Sequence, residues 1–298
     1  MRKNKFVMRL TISVLSLLFC LSLYAVETNS TLAEARSKFA TQLIKKGPSP
    51  QAVSPDEFNP TKQPKGVSQV LYSSCGRKLK AWVSVNPNDG KKRPAVLFLH
   101  GGFGFSESDW KDAATFEKAG FVVMVPLLRG ENGNPGDFEM FCGEVDDAIA
   151  AGVFLKKLSY VDSTNVFVAG HSAGGTLAQL VSMMSGEFRA AASFSGAPDQ
   201  QAFCHDWADI VPFDLNNAEE IRIRSPLQFP ASVRCPLFLY AGIVEKSYVQ
   251  ENQSLATAAQ KTGRPVTFTM VAGDHFTALK FEFPNAIQKF KLLLVPPK

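Results

Sequence analysis

The sequence predicts an α/β fold with a mostly parallel central sheet of about eight strands, crossover helices and a small cap insertion. From residue 67 onward, strand and helix patterns alternate, which is the order of a parallel sheet built from strand–helix–strand units. Several strand patterns are continuous apolar runs, such as residues 95–99 and 121–126, and such runs belong to strands buried on both faces. The 298 residues, 45% of them hydrophobic, are enough for an ample core.

The predicted elements follow in chain order. Residues 31–46 have helical composition with apolar side chains at helical spacing, which predicts an N-terminal helix lying on the domain. Glycine and prolines between residues 47 and 66 predict an extended linker. The predicted strands cover residues 67–72, 79–85, 95–99, 121–126, 166–169, 190–194, 236–242 and 266–271. The predicted later helices cover residues 108–119, 144–158, 176–181, 249–261 and 285–294.

Residues 199–232 interrupt the alternation of strands and helices. They mix aromatic and aliphatic side chains with acidic and polar ones, and their place in the order predicts a small cap over the strand ends. The aromatic residues suggest an apolar acyl or aromatic pocket, although such side chains more often serve packing. We select His205 and Trp207 as candidate substrate-binding residues, with an exposed surface position as the alternative for His205. The cap aromatics considered are Phe203, Trp207, Phe213 and Phe229.

The first 25 residues have the pattern of an export signal. A basic head is followed by an apolar run over residues 10–24, and cleavage is expected after Ala25. Leu23 is larger than the residue preferred three places before the cut, so an uncleaved membrane anchor stays open, and lipid attachment at Cys20 is a weaker alternative. The resulting division is residues 1–25 as signal or anchor, 26–66 as helix and linker, and 67–298 as the main domain.

Charge and cysteine usage limit the function classes. The formal net charge is +5, and the head of the signal supplies most of it, which leaves the remainder near +1 and gives no nucleic-acid-binding character. Outside the signal, four cysteines remain: Cys75, Cys142, Cys204 and Cys235. In an oxidising compartment they allow three pairings, and four free buried thiols are about as plausible. Their spacing does not favour a metal site.

The segment 166–175 carries the strongest functional signal. A β-forming run stops at Gly170-His171-Ser172-Ala173-Gly174 and continues into a helical pattern, which is the strand, turn and helix of a nucleophile elbow. The glycines leave room for the sharp turn that exposes the serine. An ordinary strand-to-helix loop is the alternative. The sequence therefore predicts Ser172 as a nucleophile.

Together with three further motifs, this elbow resembles the α/β-hydrolase superfamily over about residues 67–295. These motifs are His100-Gly101-Gly102 after the third strand, Leu128-Arg129-Gly130-Glu131-Asn132-Gly133 after the fourth, and Gly273-Asp274-His275-Phe276 after the last. Within the superfamily the chain is most similar to the dienelactone hydrolase and prolyl oligopeptidase branch. The resemblance implies the α/β-hydrolase fold and a serine, an acid and a histidine in that chain order.

The resemblance assigns the remaining members of a catalytic triad. His275 follows the last strand, where the family places its base, while His100 is expected to support the oxyanion loop and His171 to point away from Ser172. The acid is expected three residues after the glycine that ends the penultimate strand. That position holds Glu245 where the family has aspartate, and glutamate can serve the same role. Asp274 is the alternative acid, but it is adjacent in sequence to His275, a poor geometry for bonding the ring.

The fold further implies two backbone donors for an oxyanion. One is the amide of Ala173, directly after the nucleophile, and the other is the amide of Gly102 or Phe103 in the glycine-rich loop. The implied reaction is acyl transfer through an acyl-enzyme with no cofactor. Because the chain lacks the length for the large propeller of prolyl oligopeptidases, we expect small or extended substrates, with esters ahead of peptides.

Three alternatives stay open. One is an exported peptidase of the prolyl oligopeptidase type without a propeller. The second is a non-catalytic binding protein on the same fold, since fold does not fix function, although the intact motifs argue against it. The third is a membrane-tethered hydrolase, which requires an uncleaved N-terminal segment. We expect a periplasmic or secreted location, a small ester or peptide as substrate, and no nucleic acid.

Overall fold

A central sheet of eight strands organises the chain. The structure, a computed structural model, describes residues 30–51 and 63–296, so the predicted signal segment lies outside the described residues. The sheet order is β1-β2-β4-β3-β5-β6-β7-β8. The strands are β1 (Val67–Ser74), β2 (Arg77–Ser84), β3 (Arg93–Leu99), β4 (Val122–Pro126), β5 (Val161–His171), β6 (Ala191–Phe194), β7 (Leu237–Gly242) and β8 (Val266–Val271). This confirms the predicted fold class.

Strand direction determines where functional side chains gather. β1 and β2 form an antiparallel leading pair, and β2 is also antiparallel to β4, whereas β3 to β8 run parallel to their neighbours. The carboxyl ends of parallel strands meet at one edge of a sheet, which is where open α/β sheets bind ligands. The loops after β3, β4, β5, β6, β7 and β8 therefore share one edge.

Helices cover both faces of the sheet. They are α1 (Leu32–Lys38), α2 (Glu107–Lys118), α3 (Gly143–Leu155), α4 (Ala173–Met184), α5 (Gln200–Asp206), α6 (Ala218–Arg222), α7 (Lys246–Lys261) and α8 (Leu279–Leu292). One buried cluster unites one face of the sheet with α1, α3, α4 and α7, and a second unites the other face with α2 and α8. No helix within residues 30–51 and 63–296 is long and apolar enough to cross a membrane.

Two helix boundaries differ by six residues or more from those that the sequence predicts. α1 ends at Lys38, not at residue 46, and Phe39 is already extended. α8 begins at Leu279, six residues before the predicted start, and carries Pro284 within it. A proline inside a helix removes one backbone hydrogen bond. The burial of Leu279 and Phe283 against the second cluster compensates for that loss.

Beyond α1, residues 39–51 form what we call the N-terminal strap. Its first half is bound to the cap by the buried carboxylate of Glu220, which accepts hydrogen bonds from Thr41 Oγ1 at 2.7 Å and from the Gln42 amide at 2.6 Å. These hydrogen bonds require an extended backbone. They explain why the helix predicted over residues 31–46 ends at Lys38.

The second half of the strap passes from the cap to the main domain. Leu43 forms an antiparallel bridge with Phe213 in the cap. Farther on, the Gly47 amide donates to Asp137 Oδ1 at 2.8 Å, and the Ser49 amide donates to the Gly130 carbonyl at 2.9 Å. The strap therefore connects the cap with the loop after β4.

Two of the cap aromatics that the sequence marked for a pocket are packing residues. Phe213 is buried and lies under the guanidinium of Arg224, 4.0 Å from its ring centre, and Phe229 packs likewise against Arg222 at 4.9 Å. Arg224 is fully buried and binds Glu220 across one helical turn. These two rings are buried and hold the cap together.

The four cysteines that follow the predicted signal segment are free thiols in the structure. Cys75 is exposed, Cys142 is half-buried, and Cys204 and Cys235 are buried. Burial raises the pKa of the Cys142 thiol to about 11. A thiol with a raised pKa is a poor nucleophile, so Cys142, and with it the buried Cys204 and Cys235, serve packing.

Candidate active site

Ser172 lies at the sharp turn between β5 and α4. Its backbone has a φ of 56°, a region that non-glycine residues seldom occupy and that is found where function requires strain. A Cβ on Gly170 would collide with the Gly174 carbonyl, and one on Gly174 would collide with the Leu99 carbonyl. The Ser172 amide donates to the Phe194 carbonyl at 2.8 Å. These contacts hold the side chain outward at the sheet edge.

His275 and Glu245 form the second part of the site. His275 Nδ1 lies 2.6 Å from Glu245 Oε1, so the carboxylate fixes the ring and leaves Nε2 for a reacting group. Burial tends to raise the pKa of Glu245, but hydrogen bonds from His275, Ser195 and the Gly242 amide outweigh it and lower that pKa. Glu245 therefore remains a carboxylate able to balance charge on the imidazole.

The alternative acid, Asp274, accepts hydrogen bonds within its own turn. Its Oδ1 accepts bonds from the Phe276 amide at 3.1 Å, the Thr277 amide at 2.9 Å and Thr277 Oγ1 at 2.8 Å. These bonds shape the exposed turn that carries His275 and lower the pKa of Asp274. Of the two candidate acids, the structure places Glu245 beside the ring.

His171, the residue before the nucleophile, contacts the loop of the base. Its Nε2 lies 2.8 Å from the His275 carbonyl oxygen, and the two rings are 4.7 Å apart. Burial, and then the charge of His275, lower the pKa of His171 to about 4. The ring is therefore neutral near pH 7 and donates through Nε2. The sequence analysis missed this contact, because no local pattern links positions 104 residues apart.

The glycine-rich loop after β3 faces the nucleophile. A Cβ on Gly101 would lie 3.6 Å from Ser172 Cβ, and Gly102 has a φ of 64° that suits glycine. The Phe103 amide donates to Gln51 Oε1 at 3.1 Å. Of the two loop amides considered for the oxyanion hole, that of Phe103 is therefore already engaged. Ala173, the remaining expected donor, opens α4 directly after Ser172.

The strap and the loop after β4 support this loop from behind. Ser49 Oγ donates to the Phe103 carbonyl. His100 is buried, with Nε2 3.0 Å from Glu131 Oε2. Burial opposes a charge on His100, but the carboxylate of Glu131 outweighs it and raises the pKa of His100 to about 9. Sequence analysis assigned His100 to loop support without finding its partner.

An aromatic row leads from the glycine-rich loop to the cap. The ring of Phe103 lies 5.5 Å from Phe141, which lies 5.7 Å from Phe203, and Phe203 lies 6.2 Å from Trp207. Trp207 is 42% exposed at the end of this row. His205 is exposed on α5. Both remain predicted substrate-binding residues.

The sheet order and the elbow at Ser172 define the class of protein: a serine hydrolase of the α/β-hydrolase fold. The model of the prolyl oligopeptidase family, Peptidase S9, matches residues 107–281. This is more than half of the chain, and the chain therefore belongs to that family.

Curated relatives share moderate identity with the chain. It is 28% identical over 176 residues to the probable dipeptidyl-peptidase 5 of Aspergillus terreus, covering 52% of this chain and 22% of that protein. It is 24% identical over 213 residues to the uncharacterized peptidase YtmA of Bacillus subtilis, covering 66% of this chain and 80% of that one. The chain thus spans about a fifth of the length of the first of these relatives.

Solved structures share the fold at low identity. The puromycin-hydrolyzing peptidase of Mycobacterium tuberculosis matches with a TM-score of 0.66 and 22% identity, covering 76% of this chain and 39% of that one. An esterase of Pyrobaculum calidifontis matches with a TM-score of 0.62 and 18% identity, covering 78% and 87%. These similarities concern the fold.

Proposed function

We propose that this protein hydrolyses an acyl bond through Ser172, His275 and Glu245. The observation that carries the proposal is the 2.6 Å contact between His275 Nδ1 and Glu245 Oε1, on the loops that flank a nucleophile elbow with a serine at φ 56°. A base oriented by an acid at the edge where a serine is exposed is the arrangement of acyl transfer.

The proposed reaction has two steps. His275 Nε2 takes the proton of Ser172 as Oγ attacks the carbonyl carbon, and the oxyanion is held by the amide of Ala173 and one amide of the glycine-rich loop. The protonated imidazole then donates its proton to the leaving group. Water, activated by the same histidine, cleaves the acyl-enzyme and restores Ser172. The carboxylate of Glu245 stabilises the imidazolium that forms twice.

Peptides are the favoured substrate class. The family and the peptidase-named relatives support this choice, whereas sequence analysis placed esters ahead of peptides. Hydrolysis of a peptide and hydrolysis of an ester both proceed through an acyl-enzyme on the same serine, so activated esters serve as assay substrates. We propose that short peptides with an apolar or aromatic side chain bind at the accessible end of the aromatic row, beside Phe203 and Trp207, because Phe103 and Phe141 are buried.

The first experiment labels the purified protein with a fluorophosphonate probe. We expect covalent labelling of the wild type and none of Ser172→Ala, because only an activated serine reacts with the probe. A folded wild type that does not react would contradict the proposal and favour a binding protein.

A substrate panel then separates the two bond types. We expect turnover of peptidyl p-nitroanilides as well as p-nitrophenyl esters, with kcat/KM rising from alanine to phenylalanine at the acyl position. Turnover of esters with no cleavage of any anilide would make the protein an esterase.

We also propose that the protein is exported, on the basis of the basic head and apolar run of residues 1–25. An intact mass of the product from an exporting host is expected to match cleavage after Ala25. A full-length product in the membrane fraction would indicate an anchored hydrolase.

A further inference from the structure

Ser195, which directly follows β6, occupies an unusual place beside the candidate triad. It is fully buried, and its φ of 47° lies in the left-handed region that costs a non-glycine residue free energy. Its amide donates to the Tyr240 carbonyl at 2.9 Å. Packing alone does not explain why a serine occupies this strained and buried position at the carboxyl edge of the sheet.

The Ser195 hydroxyl donates to Glu245 Oε2 at 2.6 Å. The same oxygen accepts from the Gly242 amide at 2.8 Å, and the other oxygen, Oε1, contacts His275 Nδ1 at 2.6 Å. One carboxylate oxygen is thus reserved for the base and the other for two fixed donors. A carboxylate held at both oxygens has little freedom to rotate.

This second anchor matters more for glutamate than for aspartate. The glutamate side chain has one more methylene and one more rotatable torsion, so a carboxylate held only by the histidine would be less well fixed. Hydrogen bonds to a charged acceptor are also stronger than neutral ones. The Ser195 hydroxyl supplies one of them where the family pattern has aspartate and this chain has Glu245.

The end of β6 also connects the acid with the nucleophile. The Phe194 carbonyl accepts a hydrogen bond from the Ser172 amide at 2.8 Å. The next residue, Ser195, donates a hydrogen bond to Glu245. Two consecutive residues therefore fix the two loops on which the nucleophile and the acid lie. Because the Ser195 hydroxyl is fully buried, it cannot reach a substrate as a second nucleophile.

We infer that Ser195 is a positioning residue of the reaction: it orients Glu245, and through Glu245 it orients His275. This inference rests on the proposed function, in which Glu245 is the acid.

The test compares Ser195→Ala with Ser193→Ala. Ser193 is also fully buried, lies two residues earlier in β6, and accepts one bond from Gln179 Nε2 at 2.9 Å. We expect Ser195→Ala to lower kcat on a p-nitrophenyl ester by about 10- to 100-fold, the range for a lost hydrogen bond to a charged group, with KM little changed. Ser193→Ala should keep kcat within about threefold.

A double-mutant cycle distinguishes positioning from a general structural effect. In a Glu245→Gln background, Ser195→Ala should cost no more than about twofold, because the group on which it acts is already altered. Equal losses in both backgrounds would overturn the inference, as would a Ser195→Ala variant with wild-type kcat. If Ser195→Ala folds poorly, Ser195→Gly replaces it, since glycine accepts a φ of 47°.

The cycle also separates this inference from the proposed function. A Glu245→Gln variant with wild-type turnover would remove the proposed acid, and the inference about Ser195 would fail with it. A large loss in Glu245→Gln beside wild-type turnover in Ser195→Ala would leave the acid in place and overturn the positioning role alone.

Discussion

At the scale of the residue, the acid is the part of the site with the sharpest test. Glu245→Gln keeps the shape of the side chain but removes the charge that balances the imidazolium, so we expect kcat to fall by about 10³- to 10⁴-fold. Steady-state kinetics on an activated ester measure the loss, and circular dichroism checks the fold. Asp274→Asn is the control and should retain turnover. The opposite ranking of the two variants would transfer the role to Asp274.

A second residue, Glu282 on α8, predicts a pH dependence of stability. It is fully buried, and both carboxylate oxygens lack a hydrogen-bond partner within the described part of the chain. Burial, together with the negative charge of Glu245, raises the pKa of Glu282 to about 8 from 4.5. Between these pH values the unfolded state releases this proton and the folded state keeps it, so folding stability falls as the pH rises through that window.

Glu282→Gln should remove this dependence. We expect the variant to gain about 3–4 kcal/mol over the wild type at pH 8 relative to pH 5, measured by urea unfolding at both pH values. Glu107→Gln, which removes an exposed carboxylate, is the control variant. If the difference in free energy of unfolding between Glu282→Gln and the wild type were the same at pH 5 and pH 8, the prediction would be wrong.

At the scale of the element, the strap gives a prediction about the oxyanion loop. Ser49 and Gln51 bind the carbonyl and the amide of Phe103, which fixes the peptide groups on both sides of this residue. In the proposed reaction, this leaves the oxyanion to the Gly102 amide. We expect Gln51→Ala to lower kcat by about 2- to 10-fold, the effect of one hydrogen bond. A higher kcat would instead mean that Gln51 competes with substrate for the Phe103 amide.

Elements whose burial is set by local pattern were predictable from sequence. The runs that became β3, β4 and β7 are apolar without interruption because both faces of these strands are covered. The first half of the strap, residues 39–46, was not predictable, because its extended form depends on Glu220, which lies 179 residues from Thr41. The same distance problem hid Ser195 from the sequence analysis, whereas Ser172 lies in a motif whose strand, turn and helix are contiguous.

At the scale of the whole molecule, Arg224 joins the cap, the strap and the main domain. It donates to Glu220 in the cap, to Thr41 Oγ1 in the strap at 2.7 Å and to the Met140 carbonyl at 2.8 Å. Removing one partner of a buried ion pair leaves an uncompensated charge. We expect Arg224→Met to lower the free energy of unfolding by about 3–5 kcal/mol, measured by denaturant unfolding.

Arg222→Met is the matched control for this variant. Its partner Glu219 is partly exposed, and such surface pairs contribute about 0–1 kcal/mol. Combining Arg224→Met with Glu220→Gln should restore part of the free energy of unfolding, because the buried carboxylate left without its arginine is then removed. Equal destabilisation by Arg222→Met and Arg224→Met would contradict a special role for Arg224.

The bond between the Leu32 amide and Ser232 Oγ spans 200 residues of sequence. During synthesis at about 5–20 residues per second, α1 must wait roughly ten seconds or more for its partner to be made. Contacts so distant in sequence form late in folding. The first helix of the described residues is therefore among the last to dock, and until then its apolar face remains in water, available to a chaperone.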